Sequence, residues 1–128
     1  AVALVQAAGG EDEVVREWVV AALEELGPPA VEQRDELAAL AGHAQADVAY
    51  WAVTLLGRMG EAAAPMVDRL TKGLEQSTAN NVRERIAWAL GQIGPQAAAA
   101  LPTLKQLSSS DNPRLARMAT KAIQLIEQ

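Results

Sequence analysis

The chain has 128 residues, half of them apolar but only 3% aromatic, with no cysteine and a formal net charge of −5. This length is sufficient for a core without cross-links, and the missing thiols exclude a cysteine nucleophile, a thiolate metal site and an iron–sulfur cluster. The modest acidity argues against nucleic-acid binding, which needs a dense cationic face, and no apolar run is long enough to span a bilayer.

Apolar residues recur at helical spacing along most of the chain, and turn-rich stretches separate these segments. Residues 1–8 lack the basic start of a retained signal peptide and are compatible with the end of a helix. A cytoplasmic location is the default expectation. The pattern then predicts seven helices, at about 12–26, 30–41, 46–59, 62–76, 80–93, 96–108 and 113–127.

The apolar pattern repeats every 33 or 34 residues. Four columns align when the repeats are superimposed, and within each repeat they follow the stripe of an amphipathic helix. Such a stripe cannot be buried by one helical hairpin alone, so successive hairpins must stack. The columns are Val15, Val48, Val82 and Leu115; Val19, Ala52, Ile86 and Ala119; Leu23, Leu56, Leu90 and Ile123; and Leu26, Met59, Ile93 and Ile126.

Glycine follows the apolar stripe in the first three repeats, at Gly27, Gly60 and Gly94. Glycine readily adopts the left-handed conformation that closes a helix, so each first helix is predicted to end there. Asn112 and Pro113 supply an N-cap and a first helical residue for the last helix. The GxxG stretches at 57–60 and 91–94 occupy equivalent repeat positions. This favours the interpretation that their glycines end the helices over that of a phosphate-binding loop.

We therefore expect a single all-α domain over residues 1–128, a right-handed α-solenoid of about seven helices. Its repeats are predicted at about 11–42, 46–76 and 80–109, with a half repeat at 112–128.

The third repeat reads V-R-x-x-I-A-x-A-L-G-x-I-G over residues 82–94 and is followed by an alanine-rich lead-in to the next helix. This block resembles the HEAT-like repeats of phycobilisome bilin lyases, and the resemblance covers about residues 12–127. It implies the stacked-hairpin fold. It also implies a scaffold or regulatory adaptor, because most proteins with such repeats have these roles and only a minority carry chemistry.

Residues for catalysis are missing from the sequence. The single histidine, His43, is followed by Ala44 and cannot build a metal cage, and its spacing to Asp47 is interrupted by a helix break. The serines at 108–110 lack both a glycine elbow and a histidine partner. We therefore predict a protein that is not an enzyme and that uses no cofactor and no metal.

Four aromatic residues divide into two pairs. Trp18 and Trp51 share one repeat column and are predicted to pack the seam between neighbouring repeats. Tyr50 and Trp88 fall on the polar side of their helices and are candidate binding anchors. The simpler interpretation is an isolated aromatic partly covered by Arg83, by Arg85 or by a neighbouring helix.

Charge is uneven along the chain: residues 1–64 carry a net −8 and residues 65–128 a net +3. Second helices usually line the concave face of such arrays, so their exposed polar residues are predicted to bind a protein partner that the sequence does not identify. The competing function is an accessory subunit of a bilin lyase-type or other modifying enzyme that holds the client. With Tyr50 and Trp88, the candidate protein-binding residues are Asp35, Glu36, Asp68, Arg69, Lys72, Lys105 and Gln106.

The last helix carries Leu115, Ile123 and Ile126 on one stripe, with no further helix in the chain to cover it. Residual apolar surface on a basic helix predicts weak, salt-sensitive self-association through this C-terminal helix. The contact is expected head to tail, with the acidic end of another chain, and the competing geometry is a symmetric dimer through the last helix.

Overall fold

The computed structural model describes all 128 residues and contains only helices and turns. Each predicted helix is present, and the first eight residues also form a short one. The eight α-helices are α1 (Val2–Ala7), α2 (Glu13–Glu25), α3 (Arg34–Leu40), α4 (Ala46–Arg58), α5 (Val67–Gln76), α6 (Asn80–Ile93), α7 (Leu101–Leu107) and α8 (Pro113–Ile126).

The helices form two layers, which is the arrangement of an α-solenoid. In the first layer α4, α6 and α8 pack side by side in extensive contact. In the second layer, each helix packs on the next helix in the chain: α3 on α4, α5 on α6, and α7 on α8. We call α2, α4, α6 and α8 the first helices, and α3, α5 and α7 the second helices, of their repeats. A 3₁₀ segment leads into each of these second helices, at Val31–Gln33, Gly60–Met66 and Gly94–Ala100.

The α-helical part of each second helix is therefore shorter than the helix that the sequence predicts, because a 3₁₀ segment forms its beginning. Proline contributes to this difference in two repeats, because it lacks the amide hydrogen that an α-helix interior needs. Pro65 lies within the second 3₁₀ segment, and Pro102 occupies the first turn of α7.

The aligned apolar columns form the core, a continuous cluster of buried residues that runs through the array. The second column is buried in all four repeats, and most members of the other columns are buried as well. Val15 is the main departure: it is 51% exposed, whereas Val48, Val82 and Leu115 in the same column are at most 2% exposed.

Two of the three predicted glycine closures are confirmed. Gly60 and Gly94 have φ angles of +58° and +82°, which L-amino acids with a side chain rarely adopt. The prediction for Gly27 is wrong, because its φ is not positive and α2 ends in extended backbone at Leu26. Asn112 caps α8 as predicted. Its Oδ1 accepts hydrogen bonds from the backbone amides of Arg114 and Leu115, at 3.1 and 3.3 Å.

The first glycine of each GxxG stretch does not end a helix, contrary to the prediction. Gly57 and Gly91 lie inside α4 and α6 at the seams between neighbouring first helices. A Cβ on Gly57 would overlap the ring of Trp88, and a Cβ on Gly91 would lie 3.2 Å from the Cα of Ala122. These glycines permit close packing between repeats.

Gly57→Ala is expected to destabilise the protein although alanine is the better helix former. The gain in helix propensity is about 1 kcal/mol, whereas overpacking against the rigid Trp88 ring costs about 1–3 kcal/mol. A lower midpoint of thermal unfolding would show that the overlap dominates. Gly27→Ala is the matched control, because no atom lies within 4 Å of its added Cβ. A Gly57→Ala protein at least as stable as this control would contradict the packing role.

The first repeat departs from the regular stacking. Backbone contact between α2 and α4 is slight, and α1 packs against both helices instead. Gly9, just after α1, lies directly against the side chains of Gln45 and Val48. An open cleft of about 570 Å³ separates α2 from α4, with Trp51 and Asp47 on the α4 side.

Candidate functional site

The second-helix layer carries an exposed ladder of polar side chains, as the repeat columns predict. We use the term ladder for this set, and the structure places every member on the surface. Its members are Asp35 and Glu36 on α3, Asp68, Arg69 and Lys72 on α5, and Lys105 and Gln106 on α7.

The ladder changes sign along the array. Its α3 members are carboxylates, α5 carries one carboxylate and two cations, and α7 contributes Lys105. Asp35 and Lys105 have ion-pair partners, with Arg34 Nε at 3.8 Å and the Glu127 carboxylate at 3.7 Å. Arg69 and Lys72 have no ion-pair or hydrogen-bond partner, so their charges remain available to a ligand.

A groove of about 410 Å³ runs beside these two cations, between α3 and α5. The two helices hardly touch each other, and small residues line the groove on both sides. Buried Leu70 and Ile86 form an apolar floor. The groove is lined by Ala38, Ala39, Ala41, Gly42, Arg69, Leu70, Lys72, Gly73, Gln76 and Ile86.

The groove continues into a second depression at the turn end of the array. This depression has a volume of about 280 Å³ and shares Ala41, Gly42, Gly73 and Gln76 with the first. Its outer part is formed by the turns at 41–46 and 76–79. Together the two depressions form a continuous track from the ladder to the turns.

Tyr50 and Trp88 lie in the other layer, away from the ladder, and Arg85 joins them. The Arg85 guanidinium carbon is 4.8 Å from the Tyr50 ring centroid and 4.7 Å from that of Trp88. An Arg85 Nη also donates a hydrogen bond to the Tyr50 hydroxyl. Trp88 is half-buried over Gly57. These contacts favour the interpretation in which Arg85 and the neighbouring helix cover the aromatic residues.

The predicted seam role of Trp18 is wrong. Trp18 is 77% exposed, because no helix packs on the outer side of α2. Trp51, its equivalent in the next repeat, is half-buried and packs edge-to-face on Tyr50 with ring centroids 5.4 Å apart. Trp88, a predicted binding anchor, instead packs the seam between α4 and α6, whereas Trp18, predicted to pack a seam, is exposed.

Three arginines donate hydrogen bonds to backbone carbonyls of other elements, a role that the sequence does not predict for any of them. Arg58 Nη1 of α4 donates to the carbonyls of Leu23 and Leu26 at the end of α2, at 2.6 and 2.7 Å. Arg34 Nη1 donates to the Ala62 carbonyl at 2.9 Å, and Arg83 Nε donates to that of Leu74 at 3.2 Å. The sequence signal for these contacts is weak, because an arginine on a helix face is usually solvated.

The stripe on the last helix is better covered than the sequence predicts. Leu115 and Ile126 are buried, and Ile123 is half-buried, because α6 and α7 both pack on α8. The large apolar side chains that remain exposed lie near the opposite end of the array. They are Val14, Val15, Trp18 and Val31.

His43 is an exposed turn residue whose Nδ1 accepts a hydrogen bond from the Gln45 amide at 3.0 Å, and Asp47 lies in the first turn of α4. No group of three or more histidine, aspartate or glutamate side chains is arranged to hold a metal ion. None of the helices combines the length and apolarity needed to cross a membrane.

Comparisons with known proteins agree with this architecture. Residues 67–127 match the family model of HEAT repeats. Among sixteen solved chains that match is an engineered protein, 20% identical with a TM-score of 0.69. The alignment covers 98% of this chain and 61% of the engineered one, so the present chain spans less than two thirds of that protein's length. No curated protein sequence matches the chain.

The structural likeness bears on the fold alone, and the family match covers slightly less than half of the chain. The chain is thus an α-solenoid of stacked helical hairpins whose C-terminal part is similar to HEAT repeats.

Proposed function

We propose that this protein is a non-enzymatic scaffold that binds an acidic polypeptide segment in the groove between α3 and α5. The observation that carries the proposal is the pairing of an apolar-floored groove with the unpaired cations Arg69 and Lys72 at its edge. A helical repeat scaffold for protein interaction is also the role to which HEAT repeats point.

The shape of the groove supports a peptide rather than a compact small molecule. It is open along one side and continues to the turns at 41–46, so an extended segment has room to lie along it. Its floor supplies apolar contact, while the two cations supply orientation and preference for acidic side chains. The rest of the ladder then acts as the polar rim of the interface.

Selection from a random peptide library tests the chemical preference directly. We expect the wild-type protein to enrich segments rich in aspartate and glutamate. Arg69→Glu/Lys72→Glu should weaken binding of the selected peptides by about tenfold or more, which corresponds to about 1.4 kcal/mol or more. Fluorescence anisotropy with a labelled selected peptide measures this change.

The matched control is Arg114→Glu, which reverses one exposed charge on α8, outside the ladder. It should leave peptide affinity within about twofold. Equal binding by the wild type and the Arg69→Glu/Lys72→Glu protein, or enrichment of basic segments, would contradict the proposed groove.

The competing function, an accessory subunit of a bilin lyase-type or other modifying enzyme, gives a different result with a natural partner. A partner recovered from source lysate would then carry a bound chromophore or a covalent modification. A scaffold returns its partner unmodified, and recovery should be lost with the Arg69→Glu/Lys72→Glu protein.

A further inference from the structure

The outer face of α2 is exposed at positions that the later repeats bury. Val15 is 51% exposed, whereas its equivalents are at most 2% exposed. Ala22 is exposed, whereas its equivalents Leu55, Ala89 and Ala122 are buried. Trp18, 77% exposed, corresponds to half-buried residues in α4, α6 and α8. In α6 and α8 this face is covered by the preceding hairpin, and in α4 the segment around α1 covers Val48. By comparison, α2 presents an unfilled stacking surface.

The outer side of α8 presents the opposite half of a stacking contact. A shallow groove of about 450 Å³ lies along it, lined by Ala116, Arg117, Thr120, Lys121 and Gln124. By the 33–34-residue repeat, Gln124 and Arg117 correspond to Gly91 and Glu84, which lie on the side of α6 that receives α8. Lys121 corresponds to Trp88, which packs against Gly57 of α4. Gly91, the equivalent of Gln124, lies against Ala122 of α8.

Inside the array, the junction of α4 with α6 pairs an aromatic ring with an arginine. Arg85 of α6 lies over the ring of Tyr50 of α4. The repeat places Arg117 of α8 at the position of Tyr50 and Trp18 of α2 at the position of Arg85. When α2 of a second copy packs on α8 as α6 packs on α4, Arg117 meets Trp18 of the second copy. This contact again joins an arginine and an aromatic ring, but here the arginine belongs to α8, in the place of α4, and the ring belongs to α2, in the place of α6.

We propose that copies of this chain associate head to tail, with the exposed face of α2 in one copy packed on the α8 groove of the next. Trp18 and Arg117 form the central contact, because an arginine over a tryptophan face is a favourable cation–π geometry. The contact joins two different surfaces of the molecule, so both ends of a pair remain open to further copies.

Charge favours this arrangement over symmetric ones. The start of α2 presents the exposed carboxylates Glu11 and Asp12, whereas Glu13 and Glu17 line the cleft toward α4. The α8 surface carries Arg114, Arg117 and Lys121, all exposed and without ion-pair partners. A symmetric dimer through either helix brings like charges together, whereas the head-to-tail contact brings opposite charges together.

Two single variants and their mixture test the geometry. Trp18→Ala removes the aromatic contact from the α2 face and keeps the α8 groove, whereas Arg117→Glu places a carboxylate in the α8 groove and keeps the α2 face. Both residues are exposed, so both variants should retain the wild-type circular dichroism spectrum and unfolding midpoint. Sedimentation velocity of the wild type should show species that grow with concentration beyond two chains. Each variant alone should sediment as a single chain, and their equimolar mixture should form a species of two chains.

The mixture is decisive because each variant keeps the surface that the other has lost. Arg69→Glu, which reverses an exposed charge in the other layer, is the matched control and should associate as the wild type does. A wild-type protein that stays a single chain at millimolar concentration would overturn the proposal. The proposal would also be overturned by a dimer that Arg117→Glu alone retains, which indicates α2 packed on α2, or by one that Trp18→Ala alone retains, which indicates α8 packed on α8.

Discussion

Leu90→Ala is expected to lower the free energy of unfolding by about 2–5 kcal/mol, the usual cost of removing a buried leucine side chain. Leu90 is fully buried in α6, the helix that packs on both α4 and α8. A cavity there weakens two inter-repeat interfaces at once, and a short array has few others to compensate. Urea unfolding followed by circular dichroism measures the change.

The control for Leu90→Ala is Val31→Ala, because Val31 is half exposed and outside the core cluster. Its effect should stay within about 0.5 kcal/mol. A loss below about 1 kcal/mol for Leu90→Ala would show that this column does not carry the core.

The apolar columns explain why so much of the fold was predictable from the sequence. Each column samples the same environment several times, so a buried position is recognised from its repetition and not from one residue. Ala52 and Ala119 illustrate this: neither is informative alone, but both share a column with Ile86 and Val19, and all four are buried. The bounds of the first helix of each repeat followed from the same repetition and from turn residues.

The environment of the aromatic residues could not be predicted in this way. A column shows which side of a helix faces the preceding repeat, but not whether a preceding repeat covers it. Trp18 is therefore exposed although its equivalents are partly covered. Trp88 is covered because Gly57, in the preceding first helix, leaves room for its ring. That complementarity joins two different positions of neighbouring repeats and does not appear in any single column.

The candidate groove was predictable only in part. Exposure of the ladder followed from its place opposite the buried columns. The groove itself lies between two elements, α3 and α5, and its lining includes the small residues Ala39, Gly42 and Gly73. Small residues carry no pattern that distinguishes close packing from an open groove, and Gly73 has both roles: it lines the groove, and a Cβ added to it would lie 2.8 Å from Ile86 Cδ1.

The arginine contacts were missed because their acceptors are backbone carbonyls, which any residue supplies. The carbonyls at a helix end have no partners within the helix and need donors from elsewhere. Arg58 provides them for α2 from a helix more than thirty residues away. This contact also explains how α2 stays attached to α4 although their backbones hardly meet.

Arg58→Met is expected to free the end of α2 while the rest of the array stays folded. Methionine keeps a long apolar stem but removes both hydrogen bonds to the carbonyls of Leu23 and Leu26, and hydrogen bonds from a charged donor contribute about 1.5–3 kcal/mol. Because α2 has little other contact with α4, the loss should appear as local opening. Amide hydrogen exchange should accelerate in α2 and remain unchanged in α6 and α8.

Two further variants separate this contact from general effects of charge. Arg58→Lys keeps a cation with several donors and should restore most of the protection in α2. Arg69→Met removes an arginine that has no hydrogen-bond partner and should leave exchange unchanged throughout the chain. Unaltered exchange of α2 in Arg58→Met would contradict the attachment role. Uniform acceleration across all helices would instead show that Arg58 supports the whole core, because local opening of α2 leaves the central helices protected.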